Sequence, residues 1–132
     1  MKEQEPIDSA SLKPPTDAER WVNQLLIRSI RDEASEVHLE PTGEGLAVKF
    51  KVGGVLQTVV AQEKDLAAEI VSRIKVLSRI SDDAKQVPRN GNYAAIVDGR
   101  KIDFRVSISP TTHGEAIVVQ VLDRMRETGA SL

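Results

Sequence analysis

The sequence predicts an α+β domain, a mostly antiparallel six-stranded sheet with two main helices packed on it in the order α-β-β-β-α-β-β-β. Three observations predict it. Two stretches place apolar residues at helical spacing, and most of the remaining apolar residues fall in short runs that alternate with polar ones. Tight turns rather than long crossovers join most of these runs. The absence of strand–helix–strand alternation disfavours a doubly wound nucleotide-binding fold.

The first helix opens at Thr16-Asp17-Ala18-Glu19, a capping box in which the Thr16 oxygen accepts a backbone N–H and Glu19 reaches back. Val22, Leu25, Leu26, Ser29, Ile30 and Ala34 then share one face, with Arg20, Asn23, Arg28 and Arg31 largely outside it. Val37 and Leu39 alternate with Glu36, His38 and Glu40 in the first strand, and Pro41 to Gly45 supply a turn. Leu46, Val48, Phe50 and Val52 form the buried face of the second strand. Gly53-Gly54 suits the positive φ of a primed hairpin turn into Val55–Val60. The second helix spans Lys64 to Arg79 on a stripe of Leu66, Ala67, Ile70, Val71, Ile74 and Leu77. Ser81-Asp82-Asp83 and Pro88-Arg89-Asn90-Gly91 mark a long connection. The fourth strand is expected over Tyr93–Val97, and Asp98-Gly99 turns into a fifth with Ile102, Phe104, Val106 and Ile108 inward. Ala116–Leu122, apolar on both faces, is expected to be a central strand.

At 132 residues the chain is long enough to bury a core without staples. The organisation expected is a flexible proline-containing leader over 1–15, one folded domain over 16–126 and a tail over 127–132. Aromatic residues are only 3% of the chain, so the core must be aliphatic and a base-stacking platform is disfavoured. The formal charge of −2 lacks the basic excess of a general nucleic-acid binder. The absence of cysteine excludes disulfides, thiolate metal sites and cysteine nucleophiles, and fits a reducing compartment. No apolar run approaches the roughly 18 residues of a membrane span. The expectation from these observations is a soluble cytoplasmic protein that inserts in no membrane.

Catalytic constellations are sparse. His38 and Glu40 share a strand face with Glu36, but a half-exposed polar face with a hydrogen-bonded histidine explains them better than a metal site. Ser107, Ser109 and His113 lack both a nucleophile elbow and an orienting acid. No phosphate-binding loop of either common type occurs, so the chain has no independent means of hydrolysing a nucleotide. No metal and no catalytic residue is therefore assigned. Lys49 and Lys51 share a strand face, and Arg105 projects from the polar face of the fifth strand. They fit either a solvated face balanced by acids or one half of a phosphate clamp whose other half lies on a partner. Thr111, Thr112, His113 and Glu115 sit in or beside a turn-rich stretch and form a candidate interaction loop.

Several ordered motifs carry a resemblance. They are Ala34-Ser35-Glu36-Val37-His38-Leu39-Glu40-Pro41, Phe50-Lys51-Val52-Gly53-Gly54-Val55-Leu56, Ser72-Arg73-Ile74-Lys75, Arg105-Val106-Ser107, Pro110-Thr111 and His113-Gly114-Glu115. Together they resemble the amino-terminal (N2-type) domain of the ring ATPases of type II secretion and type IV pilus assembly, over roughly Ala18 to Asp123. The resemblance implies a domain that packs against a neighbouring core in a hexamer and sends arginines to the nucleotide's terminal phosphates. Arg105 keeps one such arginine. Lys51 stands where arginine is usual, Asn92 where arginine follows glycine, and Gly53 where the hairpin is usually acidic. Lysine lacks the planar fork of guanidinium, and asparagine lacks its charge.

With that resemblance, the leading expectation is a non-catalytic interaction or regulatory module that docks on a secretion or pilus ATPase ring or its inner-membrane machinery, and reaches the inner-membrane face through such partners. ATP would enter only where a partner core completes the site. One alternative is a piece of a full motor ATPase supplying phosphate-sensing residues to a neighbouring subunit. The other is a small-molecule sensor with an enclosed apolar pocket.

Overall fold

Alternation along the strands decides which side of the sheet is covered. The computed structural model describes residues 15–81 and 87–123. The elements are α1 (Asp17–Arg31), β1 (Glu36–Thr42), β2 (Gly45–Val52), β3 (Val55–Glu63), α2 (Lys64–Ser78), β4 (Arg89–Val97), β5 (Arg100–Thr111) and β6 (Gly114–Asp123). The sheet runs β3-β2-β1-β6-β5-β4 with every neighbouring pair antiparallel. Two three-strand meanders are thus joined through β1 and β6 at the centre.

Val37, Leu39, Val48, Phe50, Ile102, Phe104, Val106, Ile108, Ile117 and Val119 are buried on one face, against the apolar stripes of α1 and α2. Removing each such aliphatic or aromatic side chain from water contributes about 1.5–3 kcal/mol. Phe50 and Phe104 are the two largest fully buried side chains. Tyr93 stacks on Phe104 with ring centroids 5.0 Å apart, and burial pushes its phenol well above the ordinary tyrosine range.

Local signals operate where the sequence places them. Thr16 and Glu19 form the capping box in both directions, each bond 3.1 Å long. Gly53 and Gly54 both hold positive φ, as do Asp98 and Gly99. Central β6 has Ala116, Val118 and Leu122 half-buried on the face without helices, where flanking strands rather than a second layer shield them.

Several boundaries differ from the sequence reading. The expected turn over Pro41 to Gly45 shrinks to Gly43-Glu44, because Pro41 and Thr42 pair with Leu46 and Gly45. The fourth strand begins at Arg89 rather than Tyr93, because β5 pairs with Arg89–Asn92 although they lack apolar alternation. The turn-rich stretch Pro110–Gly114 is mostly strand: β5 continues through Thr111 and β6 starts at Gly114, leaving Thr112-His113 as the turn. The third strand extends to Glu63, and α2 ends at Ser78 with Arg79 at positive φ. The expected leader (Pro15 apart) and the tail lie outside the described residues, as do Asp82 and Asp83.

Candidate functional site

Among the described residues both helices pack on one face of the sheet, and the opposite face, called uncovered below in that sense, is ordered by cross-strand register. Glu36 lies opposite Lys51 on one side and Gln120 on the other, Gln120 opposite Arg105, and Arg105 opposite Asn92. Directly opposed residues of antiparallel strands project to the same face. Lys51, Glu36, Gln120, Arg105 and Asn92 therefore form one row across β2, β1, β6, β5 and β4. Lys49, His38, Val118, Ser107 and Asn90 form a second row beside it.

Within these rows the side chains differ in what holds them. His38 Nε2 donates to the Glu36 carboxylate at 2.8 Å, a diagonal contact along β1. Lys49 Nζ lies 3.0 Å from Glu40. Glu36, His38 and Glu40 are thus split between two pairs, and no metal-holding group of three gathers among the described residues. Lys51 is half-buried and Arg105 exposed, and neither makes an ion pair among the described residues. Asn92 is exposed on the edge strand.

The other candidate residues sit elsewhere. Thr111 lies six residues from Arg105 along β5, roughly 20 Å at strand spacing. Its Oγ1 donates to the Gly114 carbonyl at 2.6 Å and fastens the hairpin, while Thr112 and His113 are exposed at its tip. Glu115 is not a loop residue. It points to the helix side and accepts from Lys75 Nζ and the Arg89 guanidinium, in a cluster whose side chains are 14%, 6% and 12% exposed. Arg89 also donates to the Ser81 carbonyl. A groove of about 520 Å³ opens beside this cluster, lined by Pro41, Leu46, Val71, Ser72, Lys75 and His113 among others.

The structure therefore brings Lys51, Asn92 and Arg105 into one row with Lys49 beside it, and leaves Thr111, Thr112, His113 and Glu115 at the far end. The reading of the sequence missed Gln120 and the structural roles of Lys75 and Arg89. Lys75 stood out only as part of the motif Ser72-Arg73-Ile74-Lys75 and Arg89 only within a turn-like connection, because contacts between distant elements have no local signature.

Residues 13–129 match the family model described as type II/IV secretion system protein. The chain belongs to that family. Its relatives in the family include the type II secretion system protein HxcR of Pseudomonas aeruginosa, 45% identical over 105 residues. Type II secretion system protein E of the same organism is 42% identical, and type II secretion system ATPase E of Vibrio cholerae 36% identical. The aligned region is 80% of this chain and 21–22% of each relative, so the chain spans about a fifth of their length. It corresponds to the amino-terminal region of the secretion ATPases.

Proposed function

We propose that this chain is a non-catalytic docking module of a secretion or pilus machinery, and that its uncovered sheet face is the surface that engages an assembly ATPase or its inner-membrane partners. The observation that carries the reading is the placement of Lys51 and Arg105. Both are cations on an uncovered face, in one row, and neither has an internal ion partner among the described residues. Neighbouring Lys49 is held by Glu40. The two cations stand three strand spacings apart, roughly 14 Å between backbones. A broad partner surface meets both at once more readily than a single phosphate group does. Glu36 and Gln120 between them add polar groups that fix register on the partner. ATP is engaged only where a partner core supplies the phosphate-binding loop.

The test is direct binding of this chain to the purified secretion ATPase of the same cell. Lys51→Ala with Arg105→Ala should weaken binding at least about tenfold, equal to about 1.4 kcal/mol, and steepen no unfolding transition. Binding as tight as that of the unaltered chain rules out this face.

A further inference from the structure

Beyond the docking reading, and independently of it, the edge of the sheet at β4 has the properties of a self-pairing surface. Among the described residues no strand lies outside β4, so its outward backbone N–H and C=O groups face no sheet partner. Proteins blunt such edges with charge, proline or a bulge. The opposite edge, β3, has a bulge: Val48 pairs with Val60 and Lys49 with Thr58, leaving Val59 unopposed. Beyond Arg89, whose side chain is tied to Glu115 on the helix side, β4 has none of these devices. Its register with β5 is continuous from Arg89 to Val97, and Asn90 to Val97 contain neither a charged residue nor a proline.

The side chains along this edge are also unusual for the surface around them. Ile96 is 70% exposed on the face without helices. On the helix side, Tyr93 and Ala95 are only half-buried and border a groove of about 370 Å³ with Asn23, Ile27 and Leu77. An incoming strand would set alternate side chains over this groove and over Ile96.

We propose that β4 pairs antiparallel with β4 of a second copy of this chain, joining two six-stranded sheets edge to edge about a two-fold axis. The strand's own chemistry selects this occupant. A two-fold pairing sets a strand against itself, so any charge in it faces its like or a close neighbour, and Asn90–Val97 is free of charge. Centring the axis on Ala95 places Ile96 opposite Ala94 of the second copy and Tyr93 opposite Val97. Both pairs are apolar with apolar, and Asn92 falls beside the turn at Asp98 of the second copy, beyond the end of its β4.

Sedimentation velocity across a concentration series tests the proposal. The unaltered chain should move from a species of 14.5 kDa to one of twice that mass. Amide exchange of Asn92–Val97 should slow over the same range. Ile96→Lys, at a position already exposed, should remain monomeric, and Ala94→Lys should do the same as an independent check. Thr58→Glu, which charges the opposite edge across from Lys49, should dimerise like the unaltered chain. A chain that stays monomeric at every concentration overturns the proposal. So does a dimer that both lysine variants leave intact, or one that Thr58→Glu abolishes.

Discussion

Glu115 is a carboxylate whose removal should cost the molecule stability. It serves Lys75 and Arg89 together in a site almost closed to water. Replacing one partner of a buried ion cluster leaves the others desolvated without their acceptor, and costs about 3 kcal/mol. Glu115→Gln should lower the urea midpoint accordingly, at unchanged slope. Asp98 is the contrasting case. Arg31 donates to it from Nε at 3.2 Å and Nη2 at 3.0 Å, and these hydrogen bonds hold its carboxyl below the ordinary 3.8. A carboxyl depressed in the folded state stabilises fully above its unfolded value, and that contribution is lost as pH falls through the folded value. Melting curves of the unaltered chain and Arg31→Ala should therefore differ at neutral pH and converge below about pH 4. Both side chains are exposed, so the neutral-pH gap should be small and should shrink further in salt. Neither role was legible as such. Asp98 was read only as a turn residue and Glu115 only as part of a loop, since a side chain's partner is fixed by elements far away in sequence.

Elements were most legible where their signals are local. The capping box at Thr16, the paired glycines at 53 and 54 and the period-two runs of β2 and β5 act within a few residues, and each operates as read. The start of β4 was not legible, because Arg89-Asn90-Gly91-Asn92 has turn composition. Its strand state is imposed by pairing with β5 and by the approach of α2. A Cβ built on Gly91 would lie 2.4 Å from the Ser78 carbonyl oxygen and 2.8 Å from Ile80 Cγ1. Gly91→Ala must push the end of α2 away from the sheet, and should lose about 1–3 kcal/mol in thermal unfolding. Gly43→Ala, which meets nothing within 4 Å, is the matched control and should stay within about 0.5 kcal/mol. The hairpin at Thr112-His113 shows the same lesson in reverse. Proline and threonines read as a loop, yet Pro110 and Thr111 pair with Glu115 and Gly114, so the turn shrinks to two residues.

At the scale of the whole molecule, stability and the proposed docking function occupy different places. The Lys75–Glu115–Arg89 cluster ties α2, β4 and β6 together on the helix side, whereas the Lys51–Arg105 row lies on the uncovered face. The two sets of variants should separate accordingly. Lys51→Ala with Arg105→Ala should change unfolding by no more than about 0.5 kcal/mol while weakening the partner, and Glu115→Gln should act chiefly on unfolding. The sequence by itself determined the α+β class, the buried face of nearly every strand, the helix start, the glycine turns and the family motifs. All of these follow from periods of two and 3.6 residues or from caps and turns, which are written in neighbouring residues. Only the tertiary structure decided that Glu36 stands beside Gln120, that Lys51, Arg105 and Asn92 share one row, and that Glu115 is internal. The pairing of β1 with β6 joins positions about 80 residues apart. A one-residue slip there would send the whole apolar set to solvent, so global burial, and no local signal, sets the register and with it the site.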